Sequence, residues 1–222
     1  MRESKTYDVS VSEELEDMLD LAVVEVTWGN PISELPSPAW LLEKLALDVE
    51  DVPLGRSEEI KRAVRDMLRS KRFKPTGMNK PACEYLVGAV TKQRLGPDNG
   101  INVAVDLCNV VSLHAGLPIS VVDVDRLEGA SFTVQRMGDD EQYVFNASGQ
   151  EMKLDGLICL CDGAGACANP VKDSQRTKTS DATQQVLFFI WGAQSLTDRS
   201  QRVALWLKTL AEETGGEVRI VF

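Results

Sequence analysis

Four polar side chains recur at helical spacing between Ile101 and Ala115: Asn102, Asp106, Asn109 and Ser112. Asp106 is the one charged residue of that stretch, so the pattern predicts a helix buried on nearly every side with a polar stripe along one face. Buried polar groups need partners, and such a stripe either lines a pocket or braces a network inside the core. The other polar residues that a fold must gather beside it are Ser120 at the next β-like run, Glu151 just after the Ser148-Gly149 turn, and the tract Asp173–Thr183.

Several common chemistries are unsupported. The chain has one histidine, which puts histidine-based zinc hydrolysis out of reach, and His114 at the end of an apolar helix reads as a structural residue. No Gly-x-Ser-x-Gly elbow, phosphate loop or Gly-x-Gly-x-x-Gly fingerprint occurs, and Gly163-Ala164-Gly165-Ala166 reads as a turn-like tract. Cys159 and Cys161 share one face of a strand, with Cys167 nearby but no Cys-x-x-Cys pair or histidine to complete a tetrahedron. The five cysteines read as free thiols packed as small hydrophobes, and neither a metal nor a cofactor is expected.

The elements that must position these residues follow from periodicity. Short helices and one β-like run, Leu21–Trp28, occupy the first third, where Ser57 caps a helix bearing Ile60, Val64, Met67 and Leu68 at helical spacing. A second helix opens at Lys80-Pro81, and Gly96-Pro97-Asp98-Asn99-Gly100 is a loop before the buried one. β-runs follow at Ile119–Val124, Ser131–Arg136, Gln142–Phe145, Leu157–Cys161 and Val186–Trp191. An amphipathic helix, Asp198–Glu213, and a strand, Val218–Phe222, close the chain. Helices, then strands, then a helix is an α+β order. The expected organisation is a mostly helical N-terminal attachment, residues 1–72, on a core of mixed sheet around the central helix, residues 73–222.

The 222 residues carry 34 acids against 24 bases, a net charge of −10 that argues against nucleic-acid binding driven by the whole protein. Charge is uneven, however: between Lys61 and Lys80 eight basic residues, among them Arg65, Arg69, Arg72 and Lys74, stand against one acid, Asp66. That run is either a solvated helix face or a phosphate-contacting surface. No apolar run spans a bilayer, and Met1–Asp8 lacks the pattern of a secretory signal, so a cytoplasmic protein without membrane contact is expected. The charge gives solubility rather than assembly state; a monomer is the working expectation.

A succession of motifs carries a resemblance. It runs from Lys74-Pro75-Thr76-Gly77 and Ala82-Cys83-Glu84-Tyr85-Leu86, through Val105-Asp106-Leu107-Cys108-Asn109-Val110-Val111-Ser112-Leu113, to Gly116-Leu117-Pro118-Ile119-Ser120-Val121-Val122-Asp123. It continues with Arg136, Gly149-Gln150-Glu151 and Arg176-Thr177-Lys178-Thr179. This order resembles free-standing relatives of the B3/B4 editing domain of phenylalanyl-tRNA synthetase, over roughly 73–191. The resemblance implies a B3/B4-like α+β core and hydrolysis, in trans, of tRNA charged with the wrong amino acid. It puts Glu151, Asn109 and Ser120 at the catalytic position, with Asp106, Ser112, Pro118, Arg136, Thr177 and Thr179 toward the substrate. Arg65, Arg69, Arg72 and Lys74 would meet the acceptor end of the tRNA. Glu151 would hold the substrate ammonium or orient a water; read from the residues alone it is equally an exposed turn residue. The synthetase has a histidine where this chain has Ser120, and a serine is no unaided base at neutral pH, so that part of the synthetase mechanism does not transfer.

Three functions are consistent with these residues: an aminoacyl-tRNA deacylase, a non-catalytic pocket for an amino acid or nucleotide, and an interaction module that docks on a synthetase. All three are tested on one geometric expectation, that the helix carrying Asn109 and the loop bearing Glu151 face a common hollow.

Overall fold

The computed structural model describes residues 6–222; of the polar start Met1–Asp8, residues 1–5 lie outside that range. Its strands are β1 (Asp8–Val11), β2 (Leu19–Thr27), β3 (Ile119–Asp123), β4 (Ser131–Arg136), β5 (Gln142–Val144), β6 (Glu151–Lys153), β7 (Ile158–Asp162), β8 (Gly165–Ala168), β9 (Gln185–Ala193) and β10 (Glu217–Ile220). Its helices are α1 (Ala39–Leu42), α2 (Glu58–Leu68), α3 (Ala82–Thr91), α4 (Val103–Ala115) and α5 (Arg199–Glu213). The fold is α+β.

Two four-stranded sheets carry the architecture, in the orders β1-β4-β7-β8 and β10-β2-β9-β3, and β5-β6 is a separate hairpin. The second sheet is antiparallel throughout, whereas β1 joins β4 in parallel. Strand β9, reading QVLFFIWGA, is buried at every position, which is why its sequence is a continuous apolar run instead of an alternation. Helix α5 seats against β9 at Gly192, where an added Cβ would lie 1.9 Å from Ser200 Oγ, so glycine is what permits the approach. On the opposite face of β9, Trp191 Nε1 reaches Ser120 of β3.

Helix α4 is the buried rod that the sequence predicts. Asn102 Oδ1 caps it by accepting from Val105 N at 3.0 Å, and Gly116 ends it in a left-handed conformation, φ 70°, with its N–H on Ser112 O. Eleven of its thirteen side chains are buried, and it packs against α1, α3, α5 and β3. Ser57 Oγ caps α2 as expected, accepting from Ile60 N at 3.2 Å.

The first third is not a helical attachment. Strand β2 is hydrogen-bonded on both sides inside the second sheet, β1 forms an edge of the first, and Leu15, Leu21, Val23, Leu41 and Val64 belong to the same core as the rest of the chain. A boundary at residue 72 therefore divides neither the sheets nor the core. The tract Gly163–Ala166 is half strand: Gly165 begins β8, which pairs with β7 across an irregularity at Leu160/Cys161. Among the described residues, no helix is long and apolar enough to cross a membrane.

Candidate functional site

Ser120 and Asp173 form the centre of the polar cluster. Ser120 Oγ is buried on β3 and accepts from Trp191 Nε1 at 3.0 Å, which directs its own proton onto Asp173 Oδ1 at 2.6 Å. The same carboxylate oxygen accepts from Asn169 N at 3.1 Å. Asn169 Oδ1 in turn takes the backbone N–H groups of Val171 and Lys172 at 2.8 and 2.9 Å, and its amide contacts the Tyr143 hydroxyl. Each of these bonds fixes the loop 169–173, so Asp173 is held rigidly although its residue retains some exposure.

Burial pushes the Asp173 carboxyl up from its ordinary 3.8 to about 6, against the opposing pull of Ser120, the Asn169 N–H, Lys178 and the Val121 N–H. Burial likewise lowers Lys178, with Asp173 opposing, and raises the thiol of Cys108, whose Sγ points to Ile119 O at 3.3 Å. The arrangement is a carboxyl raised by burial at the edge of the core, with the charge of Lys178 near enough to oppose the shift though its Nζ is bonded to Phe145 O.

The polar tract after it is pinned at every turn. Arg176 forks onto Asp162 at 2.7 and 2.9 Å, Thr177 Oγ1 donates to Cys167 O at 2.8 Å, and Lys178 Nζ donates to Phe145 O at 2.5 Å. Asn102 Nδ2 reaches Thr179 Oγ1 at 3.5 Å, and Thr183 Oγ1 donates to buried Asp123 at 2.5 Å. The tract thus joins α4, β3 and the β5-β6 hairpin.

Of the residues expected at the site, Ser120 is at its centre. Asn109 lies half-buried on α4, one residue from Cys108, and Thr179 is half-buried on the pinned tract. Asp106 is fully buried and accepts from Ile101 N and Ser37 Oγ, and Ser112 donates to Leu117 O at 2.7 Å; both tie the ends of α4 to neighbouring loops. Pro118 O receives Trp191 N, and buried Thr177 faces Cys167 O, so these two serve the frame around Ser120. Arg136 is turned to Gly156 O and Met18 Sδ, on the first sheet.

Glu151 is not brought to this cluster. In the β5-β6 pairing Tyr143 stands opposite Met152, and both reach Asn169; Glu151, one residue on, faces outward, exposed, where it accepts from Gln142 Nε2 at 3.3 Å. The expectation that Asn109 and Glu151 face a common hollow is not met: Glu151 points to solvent, and the polar cluster at the edge of the core centres on Ser120 and Asp173. Of the basic residues expected at an RNA surface, Arg65 forks onto Glu84 at 2.6 and 2.7 Å, Arg72 meets Asp139 at 2.5 Å and Arg69 lies 3.7 Å from Asp66, the last two pairs exposed, and Lys74 is exposed without an ion pair among the described residues. His114 is buried, bonded to Lys44 O at 2.8 Å, and burial lowers its pKa.

Asn169 and Tyr143 are site residues that the sequence did not point to, while Asp173 and Lys178 lay within the tract Asp173–Thr183 that it named as a whole without giving either a role. The signal available for them was the turn-forming pair Asn169-Pro170 ahead of an acid and a capping serine, Asp173-Ser174, in an otherwise apolar region.

Comparison with known proteins agrees with this architecture. The B3/4 domain model matches residues 76–213, well over half of the chain. A search of curated proteins returns no match. Among solved structures, an N-terminal fragment of the phenylalanyl-tRNA synthetase beta subunit from Pyrococcus horikoshii superposes with a TM-score of 0.53 at 13% sequence identity, over 99% of this chain and 53% of that one. At that identity the likeness is one of fold, and this chain spans about half the length of the fragment. With the family model covering α3 through α5 and the Ser120–Asp173 pair inside it, the chain belongs to the B3/4 domain family.

Proposed function

We propose that this B3/4-domain chain hydrolyses the ester of a mischarged aminoacyl-tRNA in trans, with Asp173 activating the attacking water. The observation that carries the reading is the carboxyl of Asp173: held by Ser120 and Asn169, partly exposed, and raised to about 6. Such a group is mostly ionised at neutral pH and still basic enough to accept a proton in a transition state. An aminoacyl ester is an activated acyl group, so a positioned water and a nearby positive charge supply much of the acceleration without a protein nucleophile.

The proton of the water passes to Asp173 as its oxygen bonds to the carbonyl carbon. The tetrahedral adduct then expels the ribose hydroxyl, which takes the proton back. Lys178, close enough to Asp173 to lower its pKa, offers charge to the developing oxyanion. Ser120 is a positioning residue, acting through Asp173.

The test is a panel of mischarged tRNAs assayed with the wild type, Asp173→Asn and Ser120→Ala. At least one member should be released faster than in buffer, and Asp173→Asn should remove about 10²–10⁴ of that acceleration. No accelerated release from any member would end the deacylase reading. A second reading, a pocket that binds an amino acid without hydrolysis, draws on the same carboxylate, which is equally suited to an ammonium group. Saturable binding of free amino acids with no turnover of any charged tRNA would select it.

A further inference from the structure

A hollow of about 540 Å³ opens between the start of α2, one face of α3 and the end of α4, lined by none of the residues of the Ser120–Asp173 cluster. Small-molecule sites commonly enclose about 300–1,000 Å³. Its floor is apolar: Cys83 and Leu113 are buried there, and Val87 and Gly88 border it half-buried. Burial pushes the Cys83 thiol up to about 12, so the floor stays uncharged at neutral pH.

Gly88 is the residue that the chain's own packing does not require. Glycine is a poor choice for the middle of a helix, yet a Cβ added here would meet no atom within 4 Å. At Gly192 the missing side chain makes room for Ser200; at Gly88 it leaves a notch open to solvent. Val87 adjoins that notch, whereas Leu86, Ala89 and Val90 of the same helix pack against the core.

The rim carries both signs of charge, and one cation is left over. Lys61 meets Glu58 at 3.0 Å and Arg65 forks onto Glu84 at 2.6 and 2.7 Å, so both acids of the rim are engaged. Arg56 is exposed and forms no ion pair among the described residues. Its place is fixed: Gly55 O accepts from Arg199 at 2.7 Å, and a Cβ on Gly116, at the end of α4, would lie 3.2 Å from Arg56 Cβ. An incoming ammonium would find no free carboxylate, while an incoming carboxylate would find a guanidinium.

We propose that this hollow binds a small monocarboxylate with an apolar body, of the medium-chain fatty-acid class, its chain over Val87, Leu113 and the Gly88 notch and its head on Arg56. Arg56, Ser57, Glu58 and Lys61 all precede residues 76–213, so the site needs the first third of this chain as well as the family domain. It is independent of the hydrolysis reading.

The test titrates the full chain with decanoate, 1-decanol and decylamine, each below its micelle-forming concentration, by calorimetry. Decanoate should bind saturably and about tenfold or more tighter than decylamine. Arg56→Gln should weaken decanoate by about fivefold or more and leave 1-decanol within about twofold. Gly88→Leu puts a side chain into open space, so it should keep or raise the Tm while weakening decanoate and 1-decanol by about tenfold or more. No saturable decanoate binding, decylamine binding as tightly, or decanoate binding unchanged by Arg56→Gln or by Gly88→Leu overturns the proposal. So does self-association in sedimentation that Gly88→Leu abolishes, which would assign the hollow to a second copy of the chain. Asp173→Asn should leave decanoate binding within about twofold, and a chain that binds decanoate but releases no amino acid from any charged tRNA would lose the deacylase reading and keep this site.

Discussion

Asp173→Asn should make the protein more stable while removing its proposed base. Raising a carboxyl from 3.8 to about 6 means that the native state binds more protons than the unfolded chain between those values. Stability contributed by the protonated form is therefore complete below about 3.8, declines as pH rises through the window, and is gone above about 6. At about 1.4 kcal/mol per pH unit the full effect is about 3 kcal/mol. Partial exposure of the residue lets water screen the charge, and roughly 1–2 kcal/mol is the realistic gain on neutralising it. Asparagine keeps an oxygen to accept from Ser120 and the Asn169 N–H, so the frame survives. For a chain of this size the gain corresponds to a rise in Tm of about 3–6 °C at pH 7, measured by thermal unfolding, shrinking toward zero as pH approaches 4. A variant that melts at or below the wild-type temperature at pH 7, or whose advantage is the same at pH 4, would refute the assignment of a carboxyl raised by desolvation.

Three further outcomes follow from the geometry. Hydrolysis of any responsive aminoacyl-tRNA should show an acid limb near pH 6, and Lys178→Met should move that limb upward, because Lys178 lowers Asp173; a pH–rate profile decides it. Glu151→Ala should change kcat/KM by no more than about twofold, since the side chain is exposed and turned to Gln142 instead of Asp173. Gly192→Ala should destabilise by about 1–3 kcal/mol in urea unfolding, as its Cβ would overlap Ser200 Oγ.

Much of the fold was legible where local pattern and tertiary packing agree. Strand β4 falls at Ser131–Arg136 as read, α4 and α5 lie within a residue or two of expectation, and the cap at Ser57 is a chemical signal that needs no knowledge of the rest of the chain, whereas Asn102, read as part of the stripe, caps α4 instead. Strand β1 was hidden because DVSV is short and its partner, β4, lies more than a hundred residues away; β8, reading GACA, has none of the branched or aromatic residues that mark strands. The site was legible in part for the same reason. Ser120 stood out, but Glu151 depends on a two-residue phase that is fixed only when Tyr143 pairs with Met152. The basic run could not show from spacing that Glu84 and Asp139 would meet its arginines.

Strands β2 and β10 both lie outside residues 76–213, yet they make up half of the sheet that holds β3 and Ser120. A fragment trimmed to the family match would leave the long, apolar β9 as an open edge, ready to recruit foreign strands. Synthesis imposes the same order: β2 emerges early, but Arg219 must be made before buried Glu25 gains its 2.6 Å ion pair. Strand β2 must wait for β9 and β10, far along the chain, before either of its edges is paired, so the sheet that holds Ser120 closes late in folding.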